Sequence, residues 1–518
     1  MFPIFTDEIG YFILRNRLSL DGAHIILHPQ CGRANFEWQP PFAWYPISLM
    51  RSTTGLLIEN PLQVRIIGVI KMLINLGLLS FCSFKIAILR KDKLFNPYGL
   101  ICLLGSLGPL IWVMSINRPE QSLLMGFLGI LSIVLIRIEK PSLSIGMDLR
   151  AALGICTTSI LLFSSHIKAF GFFPFTLLAL IFSVRSWKIT AISLLISSWI
   201  FASSTYAFLA LTGCEDKFLT YALEKWVLNP LKLIYEPEIF IKSAFYNLNN
   251  FSLYLYGIII YGTAPIEWIK TSDVAISTLL LNIANATWVV LLAIIVVEML
   301  WGTLRSDEKK TRVYLVGIST LIGLLSIATF QTYKLFYESS FYLPILIVSW
   351  GMLRSHTFPI LIEQMHLRFR GLQKLTIASV FVLVISCIQP VLTSINSNLD
   401  VKHGYYWFDY FRRKKNIYQT AELCDINTHS ANTHLVVDDL TYFAFPKLVM
   451  PFHVFYIGDP WGQGIKGNLF DFLESWESSG IIARCEYIPE ELKAYSINGS
   501  DGICCIGKTA FTRSENLR

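Results

Sequence analysis

Ten stretches of this 518-residue chain are apolar for about the length of a membrane crossing: 64–89, 99–116, 121–138, 151–165, 170–184, 189–211, 274–302, 313–333, 341–353 and 375–395. A bilayer's hydrocarbon core calls for about 20 mostly apolar residues per helix. Inside that core the backbone must satisfy its own hydrogen bonds, which restricts spanning segments to helices or closed barrels. Runs of this length predict an all-α polytopic membrane protein. Charge scarcity agrees: 15% of residues are charged and 53% are hydrophobic, where soluble chains are about 25% charged. A mean hydropathy of +0.52 excludes disorder, which needs low hydrophobicity and high net charge.

The loops sort by charge. Arg90, Lys91 and Lys93 follow the first run; Lys140 and Arg150 the third; Arg185 and Lys188 the fifth. Arg305, Lys309, Lys310 and Arg312 follow the seventh, and Arg354, Arg368, Arg370 and Lys374 the ninth. If the runs alternate across the membrane, all these loops share one side, which the positive-inside rule makes cytoplasmic. The net charge of +7 then reports topology. Basic residues dispersed between apolar runs do not form the clustered face of a nucleic-acid binder, so no nucleic-acid partner is expected.

The opposite side receives residues 1–63 as a first outer loop, the turn Asn117-Arg118-Pro119-Glu120, the loop near His166 and Lys168, the segment 212–273 and the tail 396–518. Segment 212–273 is aromatic and mixed in charge, and reads as amphipathic helices on the membrane surface. Taking 251–265 as an eleventh span would break the alternation of basic loops. The tail has ordinary soluble composition, with short apolar runs (HLVVDDL, FHVFYIGD) and a glycine-closed helical stretch (LFDFLESWESSG). It reads as an exported soluble α/β domain. Asp438-Asp439 end one of its strands, as a binding edge or a surface turn. Its cysteines, Cys424, Cys485, Cys504 and Cys505, can form disulfides in an oxidising compartment.

Candidate chemistry concentrates in the outer loops. Asp7-Glu8 is an adjacent carboxylate pair, with Tyr11 four residues after its first acid. Then come Glu37, Gln39, the Pro40-Pro41 turn, Tyr45, and Arg65 opening the first span. Arg118-Pro119-Glu120, His166-Ile167-Lys168 and the stretch YESSFYLP (337–344) follow in order. This order resembles the GT-C superfamily of membrane glycosyltransferases, in particular the branch of protein O-mannosyltransferases and lipid A aminoarabinose transferases. The resemblance covers about residues 5–395.

It implies a hexosyl- or pentosyltransferase of the plasma (inner) membrane whose active site and tail face outward. The donor would be a sugar on polyprenyl phosphate, and the acceptor a hydroxyl of a lipid, glycan or protein. A carboxylate would take the hydroxyl proton while the oxygen attacks the anomeric carbon with inversion, a contribution of about 10²–10⁴-fold. Phosphate leaves as a stable anion, so the site needs cations around it. The resemblance makes Asp7 the base, with Glu8 and Glu120 orienting it or binding acceptor hydroxyls. Lys168 and Arg118, with Lys334, would face the phosphate. Tyr11, Glu37, Gln39, Tyr45 and Arg65 would contact substrate. No cofactor is required beyond the lipid-linked donor. A divalent metal held by His24, His28 or His166 with the carboxylates is an alternative. Lys71, inside the first run, is an intramembrane charge and so a functional hint by default.

Two other classes fit a polytopic chain: a transporter or flippase of a lipid-linked substrate, and a non-catalytic membrane assembly protein. Transporters favour internal repeats and mid-membrane polar sites, and here the acids sit in loops. Relatives in the resembled superfamily begin with one more span before the acidic pair. This raises the expectation that the true start lies upstream of Met1.

Overall fold

The computed structural model describes residues 4–5, 8, 24–25, 34–35, 59–90, 114–141, 144–212, 227–261, 308–332, 338–353, 404–427, 434–445, 452–454 and 469–512. They are mostly helical. Helix α1 (Pro61–Arg90) is followed by α2 (Pro119–Glu139), α3 (Ile145–Ser165), α4 (Phe173–Ser183) and α5 (Trp187–Thr212). Then come α6 (Pro237–Tyr261), α7 (Glu308–Phe330) and α8 (Ser339–Leu353). Among the described residues, α1, α2, α3, α5 and α7 are long and apolar enough to cross a membrane. The runs at 170–184 and 341–353 form the shorter apolar helices α4 and α8. Those at 274–302 and 375–395, and most of 99–116, lie outside the described residues. The aromatic segment contains α6, which carries the helix on to Tyr261.

Helix α1 shows why such a chain suits lipid. Its buried residues include Val64, Gly68, Lys71, Asn75, Leu79, Cys82, Ile86 and Leu89, spaced three or four apart. Its exposed large residues are Ile66, Ile70, Leu73, Ile74, Phe81, Phe84 and Ile88. A water-soluble helix would turn its apolar face inward; here the apolar face points out. From Ile66 to Ile88 that face is about 33 Å tall at 1.5 Å per residue, close to a hydrocarbon core of about 30 Å.

Helix α2 is the central staff, with 78% of its apolar window buried against 28% for α1. Its start is set by Pro119, whose missing N–H costs nothing in a first turn. Pairings from α1 to the chain around α2, Lys71 with Asn117, Asn75 with Gln121 and Cys82 with Leu128, all keep a separation of 46 residues. Constant separation means that the two helices run in the same direction. Gly68 permits their close approach: a Cβ there would lie 2.1 Å from the carbonyl oxygen of Ser115.

The two ends of the bundle differ. At one, Arg137 pairs with Asp148 and donates to the Ser183 carbonyl at 2.7 Å, while Asp148 accepts from the backbone N–H of Arg185 and Ser186. Lys85 and Glu139 pair there at 2.6 Å. This is the end of the basic loops. The other end gathers Glu8, the turn 114–120, the 3-10 turn Ile167–Phe172 and the start of α8.

The tail contains a five-stranded mixed sheet: β5 (Leu435–Val437), β6 (Phe452–His453), β7 (Gly480–Arg484), β8 (Ile497–Asn498) and β9 (Ile503–Gly507), in the order β6-β5-β7-β9-β8. β5 is parallel to β6 and β7, and β9 is antiparallel to β7 and β8. Helix α9 (Trp407–Leu423) covers one face, packing on Leu435, Val437 and Ile482; α10 (Leu469–Ser475) covers the other, packing on Val436, Ile481 and Ile506. Burial on both faces explains why LVV and ICCI read as continuous apolar runs. Neighbouring strand residues point to opposite faces. The adjacent cysteines therefore serve different bridges, Cys424–Cys505 and Cys485–Cys504.

This unit is joined to the first span. Val64 lies in the same core as Tyr405, Tyr410 and Phe443. Strand β1 (Ile4–Phe5) pairs antiparallel with β4 (Gly404–Tyr405). A separate two-residue ladder joins β2 (His24–Ile25) to β3 (Ala34–Asn35).

Two outcomes follow. Alanine at a helix interior gains about 0.5–1 kcal/mol over glycine, and Gly77 has nothing within 4 Å of an added Cβ. Gly77→Ala is expected to raise the unfolding midpoint in detergent. Gly68→Ala should lower it, because overpacking costs about 1–3 kcal/mol; equal shifts would contradict the α1–loop contact. Peptide mapping without reduction should recover Cys424–Cys505 and Cys485–Cys504. The entropic model gives closure of these 81- and 19-residue separations about 4.5 and 3 kcal/mol.

Candidate functional site

At the end opposite the basic loops, charged side chains withdrawn from water form a connected network. Glu8 is fully buried. One of its carboxylate oxygens meets Arg65 Nη2 at 2.7 Å, and the other accepts the backbone N–H of Asn117 at 2.7 Å. Arg65 also donates to the Ser115 carbonyl at 3.0 Å. The Asn117 side-chain oxygen accepts from Lys71 Nζ at 2.6 Å. Asn117 thus links the first carboxylate to a buried amine on α1.

Three residues on, Glu120 opens α2 from its first turn, where the positive helix terminus favours an acid. Arg118 Nε reaches its Oε2 at 3.2 Å, and Lys168 Nζ reaches its Oε1 at 3.1 Å. Lys168 also meets Glu338 at 2.5 Å. Glu338 accepts two 2.8 Å hydrogen bonds from Gln331 Nε2, and the Tyr342 hydroxyl donates to Gln331. The turn carrying Lys168 is held against α7 by two glycines: a Cβ on Gly171 would lie 2.7 Å from the Gly323 carbonyl oxygen.

His166 is at the edge of this network. Its Nδ1 accepts the backbone N–H of Lys168 at 3.2 Å, and its Nε2 lies 3.9 Å from Glu120. Burial and the neighbouring ammonium outweigh the attraction of Glu120, and the imidazole pKa falls to about 3. His166 is therefore neutral at physiological pH. Among the described residues, no group of three or more His, Cys, Asp or Glu side chains is placed to hold a metal ion.

Of the residues singled out in the sequence, Glu8, Arg65, Arg118, Glu120 and Lys168 come together here. Asp7, Tyr11, Glu37, Gln39, Tyr45 and Lys334 lie outside the described residues. Both oxygens of Glu120 are engaged by cations, which links α2 to the α3–α4 turn, and Lys168 faces two carboxylates. Asn117, Gln331, Glu338 and Tyr342 were not singled out individually. Glu338 and Tyr342 fall within the quoted YESSFYLP stretch, and Lys71 and Asn75 are polar interruptions on the buried stripe of α1.

Asp438-Asp439 proves to be neither a surface turn nor an open binding edge. Asp438 accepts from the backbone N–H of Leu440, Thr441 and Arg484, from the Thr441 hydroxyl, and from Arg484 Nε at 2.6 Å. Asp439 pairs with the same guanidinium, which stacks 4.2 Å from the Tyr487 ring. Burial alone would raise the Asp438 pKa; Arg484 and these N–H donors overcome it and hold the carboxyl below its usual value.

The sequence matches no protein-family model and no curated protein. Among solved structures, it is similar to the oligosaccharyltransferase of Archaeoglobus fulgidus, in the form tethered by a disulfide to an acceptor peptide containing the NVT sequon (TM-score 0.42) and in the apo form (TM-score 0.40). Both are 12% identical and cover 93% of this chain. The chain spans 65% and 66% of their lengths, respectively. At this level the similarity does not by itself assign an activity.

The neutral histidine gives a pH test. An unfolded imidazole titrates near pH 6.5, while the folded one holds out to about 3. Between those values the unfolded chain binds the extra proton, so this contribution to stability is lost as pH falls. The unfolding midpoint in detergent should drop with acidification below about pH 6.5. His166→Asn should flatten that slope; an unchanged slope would place the titration elsewhere.

Proposed function

We propose that this chain is a membrane glycosyltransferase, moving a sugar from a polyprenyl-phosphate donor to a hydroxyl of a lipid, glycan or protein acceptor. The observation that carries the reading is convergence. Glu8, Arg65, Arg118, Glu120 and Lys168 come from three separated motifs of the resembled superfamily, and they meet at one end of the bundle. Glycosyl transfer at a membrane needs such an end: a reactive head at the boundary, with its lipid tail left in the bilayer.

In this reading Asp7 is the base. It accepts the acceptor's hydroxyl proton as that oxygen forms a bond to the anomeric carbon. The bond from anomeric carbon to phosphate oxygen breaks on the opposite face, and polyprenyl phosphate leaves with the electron pair. Glu8 acts as a positioning residue: Arg65 and the Asn117 N–H fix it, and it fixes the neighbouring backbone. The tail supports an outward orientation for this end. Its two disulfides suit an oxidising compartment, and Val64 ties it to the site end of α1.

Asp7→Asn is expected to lower sugar transfer in isolated membranes by about 10²–10⁴-fold at normal expression. Unchanged transfer would remove Asp7 as base. Depleting polyprenyl phosphate should abolish product. Substrate movement that survives Asp7→Asn, with no glycosylated product, would show a transporter instead.

A further inference from the structure

We infer that Lys71 and the side-chain amide of Asn117 form a binding subsite for a phosphate oxyanion, and that its ligand is the phosphate of the lipid-linked donor. The assignment of the ligand rests on the proposed function; the existence of an anion subsite does not.

Lys71 is 6% exposed and Asn117 5%. Among the described residues, Lys71 meets no carboxylate within ion-pair distance, and its hydrogen bond goes to Asn117 Oδ1. A buried ammonium is costly. Glu8 acts on it only at a distance, and the acids of the network bind other cations directly: Glu8 binds Arg65, Glu120 binds Arg118 and Lys168, and Glu338 binds Lys168. Among the described residues, Asn117 Nδ2 is buried with no hydrogen-bond partner. Beside an ammonium, which can only donate, Oδ1 faces Nζ and the NH2 faces away. The result is a buried amine with no carboxylate in direct contact beside two unmatched N–H bonds, the donor set an oxyanion needs.

Depth selects the kind of anion. Lys71 lies five residues below Ile66, where the lipid-facing surface of α1 begins, or about 7.5 Å at 1.5 Å per residue. That is just inside the membrane boundary, within reach of a headgroup phosphate and poorly placed for a freely soluble one. One turn deeper, Asn75 donates to the Gln121 carbonyl at 2.9 Å.

The test is ligand-induced stabilisation of the full chain in a phosphate-free maltoside detergent, with polyprenyl monophosphate, uncharged polyprenol, phosphatidylglycerol and inorganic phosphate as probes. Polyprenyl monophosphate should raise the unfolding midpoint of the wild type, and polyprenol should not. Lys71→Met should raise the half-saturating concentration about tenfold or more, the scale of one lost charge-assisted contact. Asn117→Asp supplies Lys71 with an internal carboxylate. It should keep the fold and abolish the phosphate response, which keeps the test decisive if Lys71→Met does not fold. Asp7→Asn should bind the probe like the wild type, because binding needs no turnover. Wild-type half-saturation in folded Lys71→Met and Asn117→Asp would overturn the subsite while leaving the proposed transfer standing. An equal, Lys71-dependent response to phosphatidylglycerol, or to inorganic phosphate, would overturn the donor assignment.

Discussion

A carboxylate that is 1% exposed at the mouth of a membrane bundle has to be met by cations, and Glu120 is met by two. Removing one partner of such a buried pair typically costs about 3–5 kcal/mol, which makes its surroundings hard to rearrange. Arg118 comes from the turn ahead of α2, and Lys168 from the turn between α3 and α4. Through its second carboxylate, Glu338, Lys168 reaches the junction of α7 and α8. One carboxylate thus registers helices that are far apart in sequence. Glu8 repeats the arrangement beside it, through Arg65 and Asn117.

The basic end is organised differently. Asp148 receives two backbone N–H groups as well as Arg137, and Arg137 gives one of its donors to a backbone carbonyl. These bonds fasten helix ends to loops. At the other end, Glu120, Lys168, Glu338 and Gln331 bond side chain to side chain across four separate elements.

Much of this was legible in the chain. The spans at 64–89, 121–138, 151–165, 189–211 and 313–333 coincide with the five long apolar helices, because lipid imposes one length and one polarity on all of them. Val436 lies in the apolar run HLVVDDL, which the strand pattern alone places in a sheet. The roles of Glu120 and Lys168 were less legible: both were visible as charges at span mouths, yet nothing in the local sequence says that they neutralise each other across 48 residues. Gln331 carried even less signal, since a neutral amide at a helix end is ordinary. The three-to-four-residue spacing that puts Lys71 and Asn75 on the buried side of α1 was in the sequence, but only the direction of burial gives it meaning.

The pairing of β1 with β4, Ile4 opposite Tyr405 and Phe5 opposite Gly404, closes a circuit of about 400 residues. At about 5–20 residues per second, a ribosome takes roughly 20–80 seconds to travel that distance. The partner strand for Ile4–Phe5 therefore does not exist until most of the membrane body has been made. The backbone leading to the acidic pair is completed from both ends of the molecule and set last. Until that strand is made, the nascent protein has most of its membrane body but lacks the assembled mouth.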